Sequence, residues 1–138
     1  MMPVCPKCDV ALLLARLRDV EVDVCHRCRG LWLDAGELES LMRATGATPD
    51  DPLLRFLEQA GRAPRDRKYL CPRCDRRLSE ISIEQEGRSL VLERCPAGHG
   101  LWFDAGELER LLAMFPPASG AGRTVDFLHE LFGSPTKT

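Results

Sequence analysis

The 138-residue chain lacks a long hydrophobic run: Ala11 to Ala15, behind Cys5 and Cys8, supplies only five apolar residues, with Val10 before it and Arg16 after it. A bilayer span needs about 20 apolar residues in succession, so no membrane segment and no membrane partner are expected. No basic segment followed by an apolar run opens the chain, and no secretory leader is expected either. A strong charge of one sign is missing as well. Nineteen basic residues stand against twenty-one acidic ones, for a formal net charge of -2, which excludes the overall basic balance of a nucleic-acid arm. Nor is there material for one large core. The sequence repeats with a period of roughly 70 residues, and units that small bury too little apolar surface to stand unaided. These absences point to a cytoplasmic, reducing setting, where paired cysteines hold metal more often than they bridge.

What the chain does have is an echo. Leu31 to Glu39 reads LWLDAGELE and returns at Leu101 to Glu109 as LWFDAGELE, with Phe103 in the place of Leu33. Asp34 is placed as a helix N-cap with Glu37 three residues on, and Leu33 and Leu38 sit where a hydrophobic staple clamps the entry. Beyond the cap, Leu38, Leu41 and Met42 keep helical spacing, as do Leu108, Leu111, Leu112 and Phe115, so each copy predicts a helix with one apolar stripe. The first is expected to end at Gly46 and the second before Pro116. Asp34, Glu37, Asp104 and Glu107 are then helix-start carboxylates, with no catalytic role. Gly36 and Gly106, so early in a helix, have no explanation in the sequence unless a backbone or the Trp ring needs close approach there.

Seven cysteines precede these echoes. Cys5 and Cys8 in CPKC, sixteen residues, then Cys25 and Cys28 in CHRC form the spacing of a tetrahedral zinc site on four thiolates. Val10 to Leu17 and Val20 to Val24 are β-rich, with a bend at Arg18-Asp19, so a hairpin carries one metal-binding turn toward the other. His26 falls inside a set already filled by sulfur. The second copy opens with Cys71 and Cys74 in CPRC and continues with a hairpin of Ile81, Ile83, Leu90 and Leu92 around Glu86-Gly87. There the pattern departs: Gly98 aligns with Cys28, and His99 follows one place later. A Cys3His set of Cys71, Cys74, Cys95 and His99 closes the second site. The competing arrangement, three cysteines around an open position, would be catalytic in kind, yet no base or nucleophile lies near in sequence. With seven ligating thiols deprotonated and two Zn²⁺ bound, the net charge becomes about -5. Sixteen of the basic residues are Arg, and Arg27, Arg29, Arg73 and Arg94 flank the cysteines, where they are expected to offset anionic metal centres.

After Thr48 to Pro52 breaks the chain and offers a cap, Leu53, Leu54, Phe56 and Leu57 predict a short amphipathic helix to Ala60. Val125, Phe127, Leu128, Leu131 and Phe132 predict its counterpart near the end, with His129 exposed upon it. Between the copies, Gly61 to Lys68 reads as a linker. The fold class expected is small, metal-stabilised α+β, with two tandem zinc ribbons. Each is a β-hairpin with paired metal-binding turns plus a short capped helix, followed by a short amphipathic helix. The division is 1–61 for the first module, 62–70 for a basic linker and 71–138 for the second module. The helices at 53–57 and 125–132 carry more apolar surface than water tolerates, and are expected to dock within the chain or to join copies in a homo-oligomer.

At CPKC, CHRC and LWLDAGELE, then CPRC, CPAGH and LWFDAGELE, the chain resembles the transcription factor IIB-type zinc-finger family of small prokaryotic zinc ribbons, present twice. The resemblance covers Cys5 to about Thr45 and Cys71 to about Phe115. It implies a zinc-ribbon fold, structural zinc and a link to transcription, and it maps the family's ligands onto Cys5, Cys8, Cys25 and Cys28, then onto Cys71, Cys74 and Cys95. A ribbon serves many partners, so function rests on the sites. The leading expectation is a non-enzymatic recognition module presenting its helices and the faces around Trp32 and Trp102 to a protein partner, with core packing behind the metal turns as the other role of those rings. The second is binding of DNA or RNA through Arg62, Arg65, Arg67, Lys68, Arg73, Arg76 and Arg77, with Tyr69 for stacking. The third is a thiol-redox or iron protein, disfavoured because the CxxC pairs lack a βαβ context.

Overall fold

The structure is a computed structural model describing residues 3–17, 19–48, 50–53, 55, 62–85, 87–115, 120, 122–124 and 128. Among them, no helix is long and apolar enough to cross a membrane.

Each copy builds the hairpin and the helix that the spacing predicts, with one further strand between them that it did not. The first contains β1 (Leu13–Leu17), β2 (Val20–Val24), β3 (Leu31–Asp34) and α1 (Glu37–Ala44). The second is preceded by β4 (Arg62–Leu70) and contains β5 (Arg77–Gln85), β6 (Arg88–Arg94), β7 (Gly100–Phe103) and α2 (Glu107–Ala113). Leu17 pairs with Val20 and Gln85 with Arg88, so both hairpins turn over two residues, at the positions the sequence marks. Ile81 lies opposite Leu92 and Ile83 opposite Leu90, placing aliphatic pairs face to face on the buried side of the ladder.

The two copies do not hang on a linker. They share one seven-stranded antiparallel sheet in the order β1-β2-β3-β7-β6-β5-β4. At its centre the echoed strands pair with each other, Leu31 with Phe103, Trp32 with Trp102 and Leu33 with Leu101. Trp32 therefore faces its own repeat counterpart, which makes that point a pseudo-two-fold axis. The stretch 62–70, read as a basic linker, is strand β4, paired with β5 at Arg62–Ile81, Asp66–Ser79 and Leu70–Arg77 with register shifts between them. Composition suggested solvated chain there, but an open β5 edge offers its backbone a ladder, and backbone groups take such partners whatever their side chains.

Alternation along β3 and β7 divides the molecule into layers. Leu33 and Phe103 join the cluster that holds Leu38, Leu41, Met42, Leu108, Leu111 and Leu112, under the two helices. Trp32 and Trp102 face the other way, into a second cluster with Cys5, Cys25, Cys71, Cys95, Leu12 and Leu78. One side of the sheet is thus covered by helices, the other by the cysteine turns. Both Trp side chains are 0% exposed, so of the two roles expected for these rings the structure shows core packing behind the metal turns.

The helix starts also differ from expectation. Gly36 and Gly106 are the N-caps, with φ of 87° and 82°, and neither helix has a side-chain cap bond. Half of the capping box survives, because Glu37 Oε1 accepts the Asp34 N–H at 2.7 Å and Glu107 Oε1 accepts the Asp104 N–H at 2.8 Å. The aspartates are occupied elsewhere: Asp34 accepts the Trp32 indole N–H at 2.7 Å and Asp104 that of Trp102 at 2.9 Å. Left-handed backbone, which glycine adopts without strain, explains Gly36 and Gly106. Close approach is needed instead at Gly30 and Gly100. A Cβ on Gly30 would collide with the Trp102 ring, and one on Gly100 with Leu33 O and, at 2.9 Å, with the Trp32 ring.

Of the trailing helices, Pro52, Leu53 and Arg55 are helical, with Asp51 Oδ1 accepting the Leu53 N–H at 3.0 Å as the expected cap. Near the other end, Gly120 packs on Ala47 and Asp51, Thr124 hydrogen-bonds to Thr45, and Arg123 donates to Gly46 O at 2.8 Å. This part of the second copy docks on the first. Leu53 and Leu128 are buried in the chain; Leu54, Phe56, Leu57 and the remaining positions of 125–132 lie outside the described residues.

Candidate metal centres

Each cysteine turn is built by its own backbone. In the first, Cys5 N donates to Val10 O at 2.8 Å and Asp9 N to Cys5 O at 3.0 Å, with Asp9 left-handed at φ 58°. Cys25 to Arg29 and Cys71 to Asp75 repeat this closely, with Arg29 at φ 63° and Asp75 at 62°. Tight closure aims the following amides at the first sulfur. Lys7 N and Cys8 N reach Cys5 Sγ at 3.4 and 3.3 Å, Arg27 N and Cys28 N reach Cys25 Sγ at 3.4 Å, and Arg73 N reaches Cys71 Sγ at 3.3 Å. Such donors stabilise thiolate over thiol.

The fourth turn shows why its ligand changes. Gly98 takes the left-handed conformation, φ 86°, at the place where the other three turns carry their second thiol. Cys95 N still donates to the residue five places on, Gly100 O, at 3.1 Å, but Gly98 N closes on Cys95 O one residue earlier than Asp9, Arg29 and Asp75 close their turns. The imidazole of His99, longer than a thiol, returns to the cluster, with Nδ1 3.3 Å from Cys95 Sγ.

The structure brings together eight donors in two groups, Cys5, Cys8, Cys25 and Cys28, then Cys71, Cys74, Cys95 and His99, with every donor atom of a group within 4.8 Å of the others. Zinc–sulfur bonds of about 2.3 Å in a tetrahedron put sulfurs about 3.8 Å apart. Cys5 and Cys28 sulfurs are 3.8 Å apart, and those of Cys74 and Cys95 3.5 Å. Seven soft thiolates and one imidazole at these separations fit two zinc ions. His26 is exposed and belongs to neither group.

Burial is graded within each group: Cys5, Cys25, Cys71 and Cys95 are buried, Cys8, Cys28 and Cys74 are half-buried, and His99 is exposed. Burial pushes the Cys5 and Cys71 thiols up to about 12. Burial also opposes ionisation at Cys25 and Cys95, but there the amide donors and neighbouring ligands outweigh it and bring both thiols down to about 7. A metal ion therefore has protons to displace at each site, and acid competes with it.

The flanking cations behave otherwise than the sequence implied. Arg27 and Arg73 turn their amides to sulfur, and the Arg29 amide donates to the Cys25 carbonyl. Arg73 sends its guanidinium across the axis to Asp34, at 2.8 and 2.7 Å, and to Asp23 at 2.8 Å. Its repeat counterpart Lys7 crosses the opposite way, to Glu93 at 3.0 Å and Asp104 at 3.3 Å, and lies 4.2 Å from the centroid of the Tyr69 ring. Burial pushes the Asp23 carboxyl up even beside Arg73, whereas at Asp34 the Arg73 and indole donors outweigh burial and hold it below its ordinary range. Of these six charged residues, Lys7, Asp23 and Glu93 were not singled out from the sequence, and Arg73, Asp34 and Asp104 were given other roles. Their signal was there: cation and carboxylate recur at matching places of both copies.

A model of the transcription factor zinc-finger family matches the chain over residues 4–44 and again over 70–114. Neither curated proteins nor solved structures yield a match. The two matched segments each begin just before a first cysteine turn and end with a helix.

Proposed function

The chain belongs to the transcription factor zinc-finger family, and from that premise we propose that it is a non-enzymatic recognition protein. In this reading two structural zinc ions hold a shared sheet rigid for docking on a protein partner in transcription. The observation that carries it is the complete donor set of each site, four ligand atoms in each group. Zinc held by four protein ligands keeps no position for water or substrate.

With both Trp rings buried and both faces of the sheet covered, we assign the contact to the sheet's β1 edge. β1 ends the order of strands on one flank, whereas its counterpart in the second copy, β5, is covered by β4. Leu13 and Leu14 on β1 are 53% and 64% exposed. Among the described residues no strand covers the outer edge of β1, and such an edge beside exposed leucines suits an extended segment of a partner, with main-chain bonds for affinity and side chains for selectivity. Capture from native lysate with the tagged zinc-loaded chain, compared with Leu14→Lys, tests this. The expected outcome is a partner retained by the wild type and lost by the variant at unchanged zinc content. Equal retention by both, or none by either, overturns it.

Binding of DNA or RNA through Arg62 to Arg77 is the alternative. Against it stands Arg73, whose guanidinium is already held by Asp34 and Asp23; Arg76 and Arg77 are exposed. That reading expects affinity to fall steeply with salt. No mobility shift at low ionic strength removes it.

A further inference from the structure

We propose that the two zinc sites are coupled, so that metal in either one raises the affinity of the other, with Lys7 and Arg73 as the positioning residues that carry the coupling. Lys7 lies between the ligands Cys5 and Cys8, and its amide donates to Cys5 Sγ. Its ammonium is held by Glu93, two residues before the ligand Cys95 of the other site, and by Asp104. Arg73 lies between Cys71 and Cys74, with its amide on Cys71 Sγ. Its guanidinium is held by Asp23, two residues before the ligand Cys25, and by Asp34. Each first turn thus carries the cation that fixes the carboxylate next to the other site's second turn.

Three further contacts run the same way. Ala35 N donates to the carbonyl of the ligand His99 at 2.9 Å. A Cβ on Gly30 would strike the Trp102 ring, and one on Gly100 the Trp32 ring, so each ring fits only against the ordered second turn of the opposite copy. In small metal-held units, binding free energy is largely folding free energy. An ion that orders the Cys5 to Cys8 turn places Lys7, and with it Glu93 and the approach to Cys95, before the second ion arrives. Because coupling is reciprocal, the second ion does the same for the first.

Native mass spectrometry of the full chain during a chelator-buffered zinc titration reads the apo, one-zinc and two-zinc forms directly. For independent sites, equal or unequal, the one-zinc form reaches at least about half of the population at its maximum; tenfold coupling between like sites lowers that to about a quarter. The expected result is a maximum well below half for the wild type, and a rise toward half or more in the Lys7→Met, Arg73→Met double variant. A wild-type maximum of half or more that does not rise further in the double variant overturns the coupling by these residues. An unchanged low maximum in a double variant that still takes up two ions removes Lys7 and Arg73 as its carriers. Should the double variant fail to fold, Cys25→Ser supplies a second measurement. Zinc affinity at the Cys71, Cys74, Cys95 and His99 site, read by competition with a chromophoric chelator, is expected to fall about tenfold. An unchanged affinity there overturns the proposal.

Discussion

At the scale of single residues, Glu37 shows the cost of placing a carboxylate under a sheet. Burial, with the nearby charges of Asp34 and Asp23, raises its carboxyl to about 7 against the Asp34 amide, which pulls it down. A group whose folded value is raised contributes its full stability below its ordinary value of 4.5 and loses it as pH climbs to about 7. Glu37→Gln keeps an oxygen for the Asp34 N–H and cannot ionise. In urea titrations with excess zinc, the variant's stability relative to wild type should therefore rise from pH 5 to 7 and stay level above that. A difference independent of pH would contradict the assignment. Gly100 offers a second check. Its added methyl would meet Leu33 O and Asp34 Cα, a backbone with nowhere to go, and Gly100→Ala should cost about 1–3 kcal/mol in the same titration. Gly36→Ala, in open space but at φ 87°, should cost only the left-handed strain, about 1–2 kcal/mol.

At the scale of elements, Asp34 separates a capping role from a bridging one. Its carboxylate holds the Trp32 indole and the Arg73 guanidinium, and α1 starts instead from Gly36 with no side-chain cap. Asp34→Ala should then cost about 1.5–3 kcal/mol, the range for a bond to a charged group. Amide hydrogen exchange locates the damage. Protection should fall across Cys71 to Cys74 in the other copy, while Ser40 and Leu41 in α1 keep theirs. Loss confined to the first turn of α1 would restore the capping view. Element existence was legible because alternation in VEVDV and the 3.6-residue spacing of Leu38, Leu41 and Met42 are local signals. β4 was not legible. Its residues are mostly charged and broken by Pro64, and it is a strand because β5 has an edge to cover.

At the scale of the whole molecule, two copies share a sheet, a tryptophan pair and crossed ion pairs, so separation would expose the β3 and β7 edges and both Trp rings. Circular dichroism and Trp fluorescence should report a single transition on zinc removal by a strong chelator, in place of two. Fragments 1–61 and 62–138 should each stay largely unfolded with zinc alone and regain structure when mixed. Independent folding of either fragment to a stable monomer would show that the central strand pair is dispensable.

The donors of the two groups, the hairpins and the helices α1 and α2 were readable in order along the chain, since each depends on spacing within a few residues: two between paired thiols, two at a hairpin bend, three or four around a helix. Even the imidazole replacing a thiol could be placed, because the repeat supplied its own alignment. The pairing of Trp32 with Trp102, the crossing of Lys7 to Glu93 and of Arg73 to Asp23, and the need for Gly30 and Gly100 belong to contacts between residues about 50 to 90 apart. No local pattern specifies such partners. They follow from the way two half-built sheets, each with an open edge and a ring too large to leave in water, bury both against one another.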